Sequence, residues 1–166
     1  MADNNLIEKK KKFSLIELLM IIMIVGIIFT LIIPLQTDKA IRQKLDEAIK
    51  NLQLIARADV AWSEINGYYI FDHTVVKYNE SAKDSFGDIV PAFESGEDLL
   101  NIRDAMVKET EFFYFDYSVT DTTVVAVTNR HFGKAGAKVY YYLPNGPWGI
   151  GSDNISKSMI DPNWLP

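Results

Sequence analysis

Cysteine is absent from the 166 residues, so the chain can form no disulfide, no thiolate metal site and no cysteine nucleophile. Histidine is nearly absent as well, with only His73 and His131. No H-E-x-x-H, G-x-S-x-G or phosphate-loop pattern occurs, and Gly133-Lys134-Ala135-Gly136 is too short to cradle a phosphate. The expectation is a protein that is not an enzyme and carries no cofactor. Asp153, Asn154 and Asp161 supply oxygens in the tail, but their spacing matches no calcium loop; loop capping is the simpler reading, and no metal site is expected. Tandem repeats and long low-complexity segments are also missing.

Positive charge is in deficit. The formal net charge is -5, and residues 1–12 contribute +2 of their own, which leaves -7 on residues 13–166. A mildly acidic remainder argues against nucleic acid as a partner. The length, with 48% apolar and 12% aromatic content, allows one membrane segment and one modest globular domain.

Where charge is scarcest the sequence is most informative. From Phe13 to Leu35 the one formal charge is Glu17. As a helix, that run would cover ~35 Å against a hydrocarbon core of ~30 Å. It reads as membrane-spanning, and Lys9 to Lys12 at one end place the amino terminus in the cytoplasm by the positive-inside rule. The apolar core is too long for an ordinary secretory signal, and Ile33-Pro34-Leu35-Gln36 offers no small-residue cleavage site. Residues 1–12 are then a polar cytoplasmic leader. Glu17 is the anomaly, because a carboxylate at mid-membrane costs about 2–3 kcal/mol on insertion scales, and less near an end. It either snorkels to pair loosely with the lysines or meets a positive charge brought by another chain.

Lys12-Phe13-Ser14-Leu15-Ile16-Glu17-Leu18-Leu19 resembles the amino-terminal motif of type IV pilins and of the pseudopilins of type II secretion systems. The resemblance covers residues 12–34. It implies that a prepilin peptidase on the cytoplasmic face cuts between Lys12 and Phe13 and methylates the new amine of Phe13. It also implies that Glu17 serves assembly, and that Gly26 and Pro34 fall where the family commonly has helix-weakening residues. The family usually has glycine directly before the cut, where this chain has Lys12; a slowed cut, a variant peptidase and an uncut chain all stay open. Implied partners are further pilin-like subunits, the prepilin peptidase and the inner-membrane assembly machinery. The implied location is the inner membrane as a single-pass protein, then a surface pilus or a periplasmic pseudopilus. Two function classes follow: an assembly subunit, of a type IV pilus-like filament or alternatively of a type II secretion pseudopilus, and a single-pass membrane anchor with a ligand-binding ectodomain. Glu17 favours the first, since an anchor has no use for a carboxylate there.

Pro34 lacks the N–H that would bond the Thr30 carbonyl and Gly26 is a poor helix former, so residues 26–34 should be the weakest part of the helix. Beyond Pro34 the pattern becomes amphipathic: Ile41, Leu45, Ala48, Ile49, Leu52, Ile55, Ala56 and Val60 recur at three- and four-residue spacing. Asp38 with Arg42 and Asp46 with Lys50 are favourable acid-before-base pairs, and Asn66-Gly67 is a helix stop. The expected fold is α+β and pilin-like, a long amino-terminal helix packed on a small antiparallel sheet. It divides into the leader 1–12, a transmembrane and assembly half 13–35, an amphipathic half 36–66, and a globular part 67–166 that forms one domain with 36–66. Within the last, a strand is expected around Tyr69–Val76, a loop over Glu80–Pro91 and a small helix from Ser95 to Lys108. Three antiparallel strands are expected at Phe112–Val119, Thr122–Thr128 and Lys138–Leu143, and an irregular tail from Pro144. Phe113, Phe115, Tyr117 and Val119 should cover the helix, and Trp62, Tyr68 and Tyr69 should pack at its end.

Overall fold

The amphipathic stripe folds as predicted, inside an α-helix α1 that runs from Leu15 to Asn66. The computed structural model describes residues 14–79, 92–94 and 97–166, with backbone alone at 31, 33–36 and 92–94. The leader 1–12, Phe13 and the loop expected over Glu80–Pro91 lie outside the described residues. The chain forms two compact units, residues 1–39 and 40–166.

In the second unit the stripe is buried because a sheet covers it. Leu45, Ala48, Leu52 and Ile55 have no exposed surface, and they share one core with Phe113, Phe115, Tyr117, Val119, Val124, Ala126 and Val139. Each large side chain taken out of water in this way contributes roughly 1.5–3 kcal/mol, so the stripe is what fixes the helix to the sheet. α1 stops at Asn66 because Gly67 adopts φ 81°, a left-handed conformation that favours glycine, and its N–H closes on the Ser63 carbonyl at 2.8 Å.

Among the described residues the sheet has six antiparallel strands in the order β2-β1-β3-β4-β5-β6: β1 His73–Asn79, β2 Ala92–Glu94, β3 Phe115–Val119, β4 Thr123–Thr128, β5 Lys138–Tyr142 and β6 Trp148–Ile150. Strict alternation makes β3 a strand with one buried face, since Phe115, Tyr117 and Val119 point inward while Asp116 and Ser118 point out. Tyr117 lies opposite Ala126 and Ala126 opposite Val139, so a small residue sits beneath the largest buried ring of the core. Asp121 and Thr122 turn β3 into β4, and Thr120 clamps the turn by accepting the Thr123 N–H on its hydroxyl at 3.1 Å.

Several expectations require correction. The first strand is β1, which starts at His73 rather than Tyr69, because Ile70 is drawn back to α1 by its N–H bond to Asp59 Oδ1 at 2.9 Å. The small helix expected from Ser95 to Lys108 is absent over its described residues and is replaced by a single 3-10 turn, Arg103–Ala105. Asn101 takes φ 51°, which no α-helix contains, and Asn51 of α1 captures both the N–H and the carbonyl of Val107 at 2.8 Å. The tail is more regular than expected. It adds β6, a short helix α2 over Asn154–Met159 and a 3-10 turn over Pro162–Trp164. Asp153 caps α2 by accepting the Ser156 N–H, and Asp161 caps the final turn by accepting the Asn163 N–H. On the helix surface, Lys50 pairs with Glu109 at 3.0 Å rather than with Asp46.

Candidate functional site

The first helical turn carries the chemistry that the motif singles out. Ser14 is the residue before the helix: its carbonyl accepts the Leu18 N–H at 3.1 Å and its hydroxyl accepts the Ile16 N–H at 3.3 Å. Glu17, three residues on, turns back so that its Oε2 accepts the Ser14 N–H at 2.9 Å. This is a capping box, in which the two side chains satisfy backbone donors the helix leaves unpaired, while the carboxylate sits at the positive end of the helix dipole. Glu17 thus has a local partner in Ser14, and the lysines with which it could pair loosely lie outside the described residues. Ser-x-x-Glu ahead of an apolar run was the readable signal for it. One oxygen and several lone-pair positions of the carboxylate remain available beyond this bond.

Behind Glu17 every residue from Ser14 to Thr30 is exposed. Ile16 is 68% and Met23 69% exposed, so a long apolar surface on this unit has no cover among its described residues. Among the described residues, no helix is long and apolar enough to cross a membrane. α1 includes both Gly26 and Pro34. No side chain or neighbouring backbone comes within 4 Å of where a Cβ on Gly26 would stand, and the Thr30 hydroxyl donates back to the Ile27 carbonyl at 2.8 Å. Lys12 and Phe13, the residues on either side of the implied cut, lie outside the described residues.

A second polar constellation, in the unit 40–166, was not anticipated. Glu47, Asn51 and Asp59 project from α1 into the core with no exposed surface. Glu47 Oε1 accepts the Tyr114 N–H at 2.8 Å and the Tyr117 hydroxyl at 3.3 Å, and its Oε2 accepts the Glu109 N–H at 3.3 Å. Asn51 donates to the same Tyr117 oxygen at 3.1 Å. Burial pushes the Glu47 carboxyl above its ordinary range despite these donors, and burial together with the Glu47 charge pushes the Tyr117 phenol well up. Asp59 is likewise raised by burial. Its Oδ2 and the Trp62 Nε1 are buried without a hydrogen-bond partner among the described residues. The signal in the sequence was the spacing: 47, 51 and 59 fall at multiples of four, on the helix face that also carries Ile55. Glu47 and Asn51 anchor the irregular stretch 107–114 to α1 and Asp59 holds Ile70, and the arrangement is structural in character.

Of the aromatic residues expected to pack at the end of α1, Tyr68 is instead 58% exposed. Among the described residues no group of acidic or histidine side chains could hold a metal ion. Compared with protein-family models, curated proteins and solved structures, the chain matches none.

Proposed function

We propose that this chain is a structural subunit of a type IV pilus-like filament, inserted in the inner membrane and polymerised through the amino-terminal half of α1. The observation that carries the reading is Glu17, a carboxylate in the first turn of a helix that is otherwise uncharged and exposed over residues 15–30. In hydrocarbon such a group is tolerable only when paired, and its natural complement is the free amine that cleavage before Phe13 would create on a neighbouring subunit. The capping bond to Ser14 leaves Glu17 able to accept that amine. An α+β domain whose antiparallel sheet covers the other half of α1 supports the same reading. The role is one of assembly, not catalysis. Packing into the filament would loosen residues 26–34, and a filament reconstruction with unbroken helix there would contradict that part.

Mass spectrometry of the amino terminus of assembled material tests the proposal. The expected mature chain begins at Phe13 with a methylated amine. Intact Met1 or Ala2 in assembled material would overturn it.

A further inference from the structure

The end of the unit 40–166 that α1 reaches last carries negative charge and apolar surface together. Lysine and arginine are missing from residues 58–76 and from residues 109–129. These two stretches build that end: α1 stops at Asn66, the chain turns at Gly67, and β1 begins at His73 opposite Val119, which brings Phe71 and Asp72 beside the turn that joins β3 to β4. The basic residues that bound the first stretch are Arg57, two turns or ~10 Å before Glu64, and Lys77, ~13 Å along β1 from His73. Glu64, Asp72 and Asp121 are exposed at this end. Lower on α1 the two signs mix instead, as in the pair of Lys50 with Glu109.

The same end exposes Ile65, Tyr68 and Phe71, by 85%, 58% and 70%. Their backbone is pinned by the Gly67 N–H on Ser63 and the Ile70 N–H on Asp59, and the Ile70 side chain between them is buried. Three apolar groups are therefore held in a fixed arrangement, with little ordering entropy to lose on contact.

The two properties together narrow what can cover this surface. A purely apolar cover would strip water from the carboxylates and give them no partner. The same end of a second copy would bring three more carboxylates, and a membrane surface would bring anionic headgroups. A cover that carries lysine or arginine pairs with the carboxylates and offers cations to the Tyr68 and Phe71 rings, while its apolar residues meet Ile65.

We propose that this end docks a segment of another protein in which lysine or arginine alternates with large apolar side chains. Glu64, Asp72 and Asp121 select its cations, and Ile65, Tyr68 and Phe71 supply the buried contact. Every residue involved lies in the unit 40–166, so the docking holds whether or not the chain builds a filament.

The chain has no native cysteine, so a single introduced one can carry an environment-sensitive fluorophore. Thr122→Cys places it beside the tip and Ala135→Cys at the opposite end of β4, both at exposed positions, in the full chain in detergent. The probes are short synthetic peptides of alternating lysine and leucine, of glutamate and leucine, and of lysine and serine. The lysine–leucine peptide should shift the signal at 122 and leave that at 135 unchanged, and the other two should bind at least ~10-fold more weakly. Glu64→Gln with Asp72→Asn and Asp121→Asn should weaken the lysine–leucine peptide by at least ~10-fold, as should Tyr68→Ser with Phe71→Ser. Asn suits position 72, where φ is 51°. No response at 122, an equal response at 135, equal binding of the glutamate–leucine peptide, or affinity unchanged by both sets of substitutions would overturn the proposal. A signal at 122 that changes with protein concentration alone would mean that a second copy covers the tip, and would overturn it too.

Discussion

Tyr117 and Glu47 share a hydrogen bond of 3.3 Å at the centre of the core, where neither side chain has any exposed surface. Among the described residues the carboxylate has no cationic partner there; the Tyr114 and Glu109 N–H groups and the Tyr117 hydroxyl donate to it. Glu47→Ala would leave the buried Tyr117 hydroxyl and the part-buried Tyr114 and Glu109 N–H groups without this acceptor, at a cost of about 2–3 kcal/mol. Glu47→Gln keeps the acceptor toward Tyr114 and Tyr117 and loses only the long bond to Glu109, so it should cost ~1 kcal/mol. Denaturant unfolding of the full chain in detergent, followed by tryptophan fluorescence, gives the two values. Equal costs would contradict the arrangement.

The same carboxyl predicts a pH dependence. Burial raises its folded-state value, so the native chain keeps a proton that the unfolded chain has already released above about pH 4.3. The stability this group contributes is therefore greatest below that value and declines as pH rises toward the folded one. Gln cannot titrate, so Glu47→Gln should cost most near pH 4 and progressively less toward neutrality. Unfolding midpoints of parent and variant across pH 4–7 check the sign, and a cost that grows with pH would refute it.

Gly151 approaches the buried Ser156 more closely than any side chain permits. Ser156 accepts the Lys138 N–H at 2.9 Å and donates to Asp153 Oδ2 at 2.8 Å, which ties α2 to the start of β5. A Cβ at 151 would clash with both Ser156 Oγ and Asp153 Oδ2. Gly151→Ala should cost about 1–3 kcal/mol and lower the Tm by about 5 °C or more, measured by circular dichroism. An unchanged Tm would contradict it.

How much of this was legible depended on the length over which a pattern repeats. The stripe from Ile41 to Val60 repeats over several turns and β3 alternates over its five residues, so each shows its period, while β4 and β5 were marked by β-branched and aromatic content. Strands of three residues, such as β2 and β6, are too short to show one. The helix expected from Ser95 failed for a tertiary reason, because Asn51, far away in sequence, takes the backbone groups of Val107. The buried carboxylates were obscured by residue type, since a Glu within a helix normally signals its solvent face. Glu17 stood out as a charge in an apolar run, whereas its bond to Ser14 depended on a spacing that the charge overshadowed.

That bond separates two roles for Glu17, helix cap and charge, and Glu17→Gln divides them, because Gln serves equally in a capping box but brings no charge. The deciding measurement is the yield of sheared surface filaments from cells whose membranes hold equal amounts of parent, Glu17→Gln, Glu17→Asp and Glu17→Ala. The assembly account predicts filament yield down by at least ~10-fold for Gln and Ala, with Asp intermediate, and no change in membrane level or domain stability. Filament yield from Glu17→Gln equal to the parent's would contradict it, and a loss seen only in Glu17→Ala would leave Glu17 as a cap alone.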